Sequence, residues 1–407
     1  MSKLDELIKE FCPNGVEYKS LEELGVFYGG LTGKSKDDFK DGNAKFITYV
    51  NVFNNPALNV HDSATVKISN SEKQRKIKYM DVIFTGSSET PDECAFSSVV
   101  CEEPQDCYLN SFCFVWEINN KKLFNPHFLK HLFRCTELRK QLIKTASGVT
   151  RFNVSKEKMK KVRIPVPPLE VQDEIVRILD NFTELTAELT AELTARKKQR
   201  DYYKKSLLSL EHISPSEVKR IKLGQVGKVC MCKRIMKDQT SSNGDVPFYK
   251  IGTFGKEPDA FITRKLFEEY RNKYSYPNKG DILISCSGTI GRTVVFDGED
   301  SYFQDSNIVW IKNDEKMVLN RYLYYLYQLN PFIVSTGGTI SRLYNDGIER
   351  AEVIIPSIKT QSEIINILDR FEELSESIVV GLPAEITARQ KQYEYYRDKM
   401  LTFKELV

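Results

Sequence analysis

The sequence predicts a mixed α/β fold: two tandem globular modules, separated and followed by long antiparallel coiled-coil helices, with a pseudo-twofold internal repeat. Three observations lead there. One segment recurs at a fixed distance, an apolar stripe at helical spacing follows each copy, and short strand-like runs alternate with helical ones before each copy.

The recurrence is read directly. Pro167-Pro-Leu-Glu-Val-Gln172-Asp-Glu-Ile175 and Ile178-Leu-Asp-Asn-Phe-Thr-Glu-Leu185 return as Pro356-Ser-Ile-Lys-Thr-Gln361-Ser-Glu-Ile364 and Ile367-Leu-Asp-Arg-Phe-Glu-Glu-Leu374, a constant step of 189 residues (172 to 361). Thr194-Ala-Arg-Lys-Lys-Gln199 and Tyr202-Tyr203 return as Thr387-Ala-Arg-Gln-Lys-Gln392 and Tyr395-Tyr396, now a step of 193 (194 to 387), so the second helix carries four extra residues.

The stripes follow. Val171, Ile175, Ile178, Phe182, Leu185 and Leu189 fall at steps of four and three, which places them along one face of a helix expected from about 170 to 211. The tetrads Thr186-Ala-Glu-Leu189 and Thr190-Ala-Glu-Leu193 make a local stutter before Tyr203, Leu207 and Leu210 resume the face. In the second copy Ile364, Ile367, Phe371, Leu374 and Ile378 lead to Gly381-Leu-Pro383, where a proline should kink or restart the helix. Each stripe is narrow and suits a coiled-coil seam.

Before each helix the pattern is mixed. Lys45–Val50 and Gly280–Ser285 read as strands, and 126–133 and 321–326 as helices, with Gly, Asn and Ser between elements. Weak correspondences link the modules: Val115-Trp116 with Val309-Trp310, Phe128-Leu129 with Tyr322-Leu323, Asp81-Val-Ile-Phe with Asp281-Ile-Leu-Ile, and Ser147-Gly148 before Arg151 with Gly337-Gly338 before Arg342. The expected organisation is a first module with a short N-terminal helix over 1–168, a central helix over 169–213, a second module over 214–357 and a C-terminal helix over 358–407.

Composition narrows the class. A chain of 407 residues with 41% apolar content can fill more than one core. A net charge of +3 against 28% charged residues excludes a uniformly basic coat and allows local basic surfaces. Nine scattered cysteines, an odd number, point to the reducing cytoplasm; residues 1–10 lack the apolar stretch of a signal peptide, and no apolar run reaches the roughly 20 residues that cross a bilayer.

Catalytic patterns are incomplete. Gly29-Gly-Leu-Thr-Gly33-Lys34-Ser35 has three residues between its outer glycines where a phosphate loop has four. His127, His131 and Cys135 could line one helix face as metal ligands, but the second copy has Arg321, Tyr325 and Leu329 there, so an ordinary helix is the expectation. Cys230-Met-Cys232 has no companion pair, and neither Pro91-Asp92 nor Pro258-Asp259 is followed by the acidic-x-Lys of a nuclease centre.

Two divergent modules, each closed by Pro-x-Pro-Pro-Leu-Glu-x-Gln or its degenerate copy and a near-identical helix, resemble the specificity subunit of Type I restriction-modification systems. The Thr-Ala-Glu-Leu tetrads resemble one subclass of it; Ser357 and Lys359 depart from the first copy. The resemblance implies a noncatalytic protein whose two target-recognition domains each bind half of a bipartite site in double-stranded DNA. It implies helices that set the spacer and dock two methyltransferase subunits, to which restriction subunits add. No cofactor would belong to this chain; S-adenosylmethionine, ATP and Mg²⁺ would belong to the partners. The helix residues expected to serve spacing and docking are Ile175, Leu179, Phe182, Leu185, Leu189, Leu193, Tyr203, Ile364, Leu368, Phe371, Leu374 and Tyr396.

On that reading affinity comes from Lys and Arg at phosphates and specificity from contacts to base edges. The candidates are Lys34, Lys36, Lys73, Arg75, Lys76, Lys78 and Arg151 in the first module. In the second they are Lys233, Arg234, Lys237, Lys256, Arg264, Lys265, Arg292 and Arg342. Arg151 and Arg342 are expected to reach the phosphate backbone from corresponding turns. The competing reading is a coiled-coil structural adaptor without DNA readout.

Overall fold

The helices that frame the modules include α1 (Lys3–Phe11), α2 (Pro126–Leu132), α3 (Thr136–Ile143), α4 (Leu169–Ser209), α5 (Asn320–Tyr327) and α6 (Ile358–Met400). The structure is a computed structural model and describes residues 2–211, 213–335 and 341–406, with the backbone but not the side chains of 374–380. Gly337-Gly338, compared above with Ser147-Gly148, therefore lies outside the described residues, as does the side chain of Leu374.

The long helices have 41 and 43 residues, about 60 Å each at 1.5 Å per residue. α4 starts directly after Pro168, and α6 after Ser357. Of the two outcomes expected at Pro383, a kink or a restart, the restart does not occur: α6 runs through it as one helix. A proline forfeits one N–H bond and crowds one carbonyl. That local cost is outweighed by packing at both ends of α6, where Ile364 and Leu368 near its start and Tyr393 near its end are buried. Thr387 Oγ1 also donates to the Pro383 carbonyl at 2.8 Å.

The chain forms two compact units, Met1–Ala191 with Leu382–Val407, and Glu192–Gly381. In the first, an antiparallel sheet has the order Gly25–Gly29, Cys113–Ile118, Val82–Thr85, Ser97–Val99, and a smaller sheet the order Ala64–Val66, Ala44–Ile47, Cys107–Leu109 with its last pair parallel. The second unit repeats both: Gly227–Met231, Ile308–Asn313, Ile282–Ser285, Thr293–Val295, and Phe261–Ile262, Val246–Tyr249, Tyr302–Phe303 with its last pair parallel. A two-stranded ribbon leads into each long helix, Tyr18–Ser20 with Arg163–Pro165 and Val218–Lys222 with Glu352–Pro356. The duplication therefore extends through the modules.

Helices cover one face of each four-stranded sheet. In the first unit Val82, Phe84, Phe114 and Trp116 share a core with Phe128 and Leu129 of α2, Val171, Ile175 and Leu179 of α4, and Tyr393 of α6. In the second Ile282, Ile284, Val309 and Ile311 pack with Tyr322 and Leu326 of α5, Leu208 of α4, and Ile364 and Leu368 of α6.

One correspondence drawn from sequence is out of register. Val82, which follows Asp81, stands opposite Trp116, whereas Leu283, not Ile282, stands opposite Trp310. Side chains alternate faces along a strand, so one residue of slip moves a side chain to the other side. Trp116 accordingly lies on the helix-covered face and Trp310 in the opposite cluster with Phe248, Phe267 and Tyr302.

The recurring glutamine explains the recurring motif. Gln172 is fully buried, accepts from the Asn125 N–H at 2.9 Å, and donates to the carbonyls of Leu123 (2.8 Å) and Pro167 (2.7 Å). Gln361, equally buried, accepts from the Leu319 N–H at 2.9 Å and donates to Met317 (3.1 Å) and Pro356 (3.0 Å). One amide thus satisfies three buried backbone groups and clamps the start of each long helix to the segment entering α2 or α5.

Candidate nucleic-acid interface

The helix-borne residues divide by burial. Ile175, Leu179, Ile364 and Leu368 are core residues, so they anchor the long helices internally and present nothing to a partner. Leu185 and Tyr203 are exposed by 46% and 41%, and Phe182, Leu189, Leu193, Phe371 and Tyr396 are half-buried. Phe182 stacks on Tyr396 in the first unit and Tyr203 on Phe371 in the second.

A carboxylate about two turns beyond each clamping glutamine is fixed differently. Asp180 meets His131 Nε2 (2.7 Å) and Lys130 Nζ (2.8 Å), while His131 Nδ1 contacts Tyr393 Oη at 2.9 Å. Burial alone would raise Asp180, but the hydrogen bonds from His131 and from the Lys130 ammonium outweigh it and hold the carboxyl at about 2, and burial keeps His131 below the ordinary histidine range. In the second unit Asp369 takes the Tyr325 hydroxyl (2.5 Å) and Arg321 Nε (2.8 Å). His131 is a strut between helices. Among the described residues no three His, Cys, Asp or Glu side chains are grouped as a metal site, and all nine cysteines are free thiols.

The first module's cations are mostly engaged. Lys34 is 6% exposed, paired with Glu72 at 2.5 Å, and holds Glu72 at about 2. Arg75 lies over the Tyr28 ring (4.3 Å), Lys76 pairs with Asp106 (2.9 Å), and Lys78 pairs with Glu117. Lys36 and Lys73 are exposed. Nearby, Asp81 is buried, accepts from the Tyr28 hydroxyl at 2.7 Å and is pushed up by burial to about 6. It closes a turn by accepting from the Lys78 N–H, as Asp281 does from the Asn278 N–H, both at 2.8 Å.

Arg151 is placed differently, in the turn of the hairpin formed by Ala146–Ser147 and Phe152–Val154, whose second strand pairs with Ser87–Ser88 just beyond the end of the sheet strand Val82–Thr85. It donates to Ser87 Oγ beside an open groove of about 860 Å³ lined by Tyr49, Phe53, Glu93, Phe112 and Val149.

In the second module Lys233 sits over Tyr274 (5.3 Å), Arg234 pairs with Asp305 (2.8 Å), Arg264 with Asp300, and Arg292 donates to the Phe254 carbonyl (2.9 Å). Lys237, Lys256 and Lys265 are exposed. Arg342 donates to Ser306 Oγ at 3.0 Å, and Ser287 to Asn307 Oδ1 at 2.9 Å. The segment 304–307 therefore gathers Arg234, Arg342 and Ser287 at the end of this sheet.

Arg151 and Arg342 do not occupy corresponding positions. Leu343 N–H donates to the Cys286 carbonyl as Val154 N–H does to Gly86, both at 2.9 Å, so the residue before Leu343 corresponds to Asn153. Each arginine still reaches a serine at its sheet's end. Ser87, Glu93, Phe112, Ser287 and Asn307 lie outside the expected set, which consists of Lys and Arg alone. Their only sequence signal is polar or aromatic residues just beyond a buried strand or just before one.

One scaffold is built twice, each copy ends in a differently composed polar edge, and the helix clamps are the same in both: this is a two-module recognition protein. The chain belongs to the family of Type I restriction modification DNA specificity domains, whose family model matches residues 13–196 and 215–388. It is a noncatalytic Type I DNA specificity subunit. A Haemophilus influenzae protein assigned as a type I restriction enzyme specificity subunit is 54% identical over 294 residues, covering 70% of this chain and 74% of its own length. A type I restriction enzyme specificity subunit of Escherichia coli is 33% identical over 268 residues, 61% of this chain and 65% of its own. A solved structure concerned with complex assembly and conformational transition of the type I R-M system shares the fold, with a TM-score of 0.60 at 16% identity, covering 96% of this chain and 98% of that one.

Proposed function

We propose that each module reads one half of a bipartite double-stranded DNA site, with target-recognition domains over 1–168 and 214–357. The helices of 169–213 and 358–407 set the unread spacer and dock two methyltransferase subunits, and the chain belongs to the Thr-Ala-Glu-Leu tetrad subclass. Restriction subunits are further partners, and S-adenosylmethionine, ATP and Mg²⁺ act on the partner subunits, in the reducing cytoplasm. Among the described residues no helix is long and apolar enough to cross a membrane.

The observation carrying this reading is the pairing of identical clamps at Gln172 and Gln361 with unlike sheet ends, Ser87-Phe112-Arg151 in one module and Ser287-Asn307-Arg342 in the other. Two like modules in one chain suit the twofold-related strands of duplex DNA, while unlike edges allow an asymmetric sequence. The test replaces 217–356 by the corresponding module of another specificity subunit and maps methylated motifs in the genome. One half-site should change and the other persist; a change in both halves, or none, refutes the assignment. A chain that never binds duplex DNA, alone or with methyltransferase subunits, is instead the coiled-coil adaptor.

A further inference from the structure

Arg151 is held on two sides. Its Nε and Nη2 both donate to Ser87 Oγ, at 3.2 and 2.9 Å, and its guanidinium lies 5.4 Å from the centre of the Phe112 ring. The hairpin carrying it is tight because residue 148 is glycine: a Cβ there would fall 2.0 Å from the Arg151 carbonyl oxygen. Val149, beside that glycine, is 91% exposed.

A guanidinium has five N–H groups in one plane. Ser87 takes the Nε–Nη2 edge, which leaves Nη1 and the second Nη2 hydrogen as two adjacent donors on the remaining edge. That is the donor pair which guanine O6 and N7 accept together in the major groove. A flexible arginine would first lose side-chain entropy to present it; this one is already held.

The surroundings suit a base rather than a phosphate. Glu89 and Glu93 line the same groove, and carboxylates there repel a phosphodiester. Glu93 Oε2 accepts from Ser88 Oγ (3.1 Å) and Thr90 Oγ1 (2.9 Å), while neither hydroxyl engages Oε1. A carboxylate oxygen accepts from the amino group of cytosine. Arg139 secures the loop by donating to the carbonyls of Asp92 (2.8 Å), Cys94 (2.6 Å) and Ala95 (2.6 Å). Phe112, 54% exposed, and Val149 add apolar surface that matches base edges and thymine methyls, not phosphate oxygens.

We propose that Arg151 reads the edge of a guanine in the first half-site, with Glu93 accepting from a cytosine amino group beside it, so that this groove sets specificity. The proposal rests on the first module being a DNA reader. It replaces the phosphate role expected for Arg151 from sequence.

The test uses the full chain with its methyltransferase subunits in cells, mapping methylated motifs for wild type, Arg151→Lys and Glu93→Gln. Lysine keeps the charge and loses the paired donors. Arg151→Lys should relax one G·C position of one half-site, discrimination there falling about tenfold to a hundredfold, with the other half-site and the spacer unchanged. Glu93→Gln should relax the same or a neighbouring position. Melting curves of the purified variants report folding. If Arg151→Lys does not fold, the Glu93→Gln motif decides: an unchanged motif overturns the proposal. An unchanged motif in a folded Arg151→Lys, methylated uniformly less, returns Arg151 to a phosphate contact and also overturns it. A wild-type chain that confers no methylated motif overturns the DNA-reader assignment itself, which is a separate result.

Discussion

The ring of Phe182 stacks on that of Tyr396, with centroids 5.4 Å apart and planes 17° from parallel. Their repeat counterparts, Phe371 and Tyr203, stack likewise at 5.6 Å and 11°. Each copy of the helix thus supplies the phenylalanine in one unit and the tyrosine in the other, which is how a tandem repeat behaves when its helices pair antiparallel within each unit. Aromatic pairs contribute about 0.5–1.5 kcal/mol beyond the area they bury. A double-mutant cycle of Phe182→Ala and Tyr396→Ala should return a coupling in that range by chemical denaturation, and Phe371→Ala with Tyr203→Ala a similar one. Additive effects in either cycle mean the stacking contributes nothing specific.

Gln172 and Gln361 make the same three backbone hydrogen bonds. Replacing either with Leu fills the volume but strands one N–H and two carbonyls, at about 1–3 kcal/mol for each group left unsatisfied. A loss of several kcal/mol is expected, with faster amide exchange at Asn125 in Gln172→Leu and at Leu319 in Gln361→Leu. A loss under about 1 kcal/mol would show that water replaces the amide.

His131 has a measurable pH signature. Burial lowers its folded-state pKa below the ordinary 6.5, so the neutral ring contributes stability present above that value and lost as pH falls through it. Asp180, held at about 2, does not titrate in this window. His131→Tyr, which copies Tyr325 of the second unit, removes the titration. Between about pH 7.5 and 5.5 the wild type should lose more melting temperature than the variant. Parallel curves would mean that His131 protonates without cost.

The tetrads offer a ruler. Four helical residues advance about 6 Å and rotate about 400°, a net turn of roughly 40°, while one base pair of B-DNA advances about 3.4 Å and turns about 35°. A third Thr-Ala-Glu-Leu inserted after Leu193 should lengthen the unread spacer by about one base pair and preserve both half-sites. A two-residue insertion, rotating by about 200°, should abolish methylation. Motif mapping checks both: an unchanged spacer in the first, or normal activity in the second, removes the helix from that role.

Sequence periodicity carried the long helices, the repeat and the family, because a helix face and a copied motif are local patterns written in consecutive residues. It left two outcomes open at Pro383, a kink or a restart, and the restart is absent because the helix continues through the proline. It also placed Trp116 and Trp310 together, because strand register is a pairing between distant residues, and a single residue of slip exchanges the faces.

The candidate site shows the same division. Cations could be counted in the sequence, but whether each was free could not: Lys34 is half-buried and paired with Glu72, and Arg234 and Arg264 are paired with aspartates 71 and 36 residues away. What the sequence determined by itself is that two like units in one chain form a Type I specificity subunit. Only the tertiary structure decided which charges stand at each sheet's end, and that Ser87 and Phe112 hold Arg151 with one donor edge open. The reason is physical: identity and spacing travel along the chain, whereas the freedom of a charged group depends on neighbours that folding brings to it.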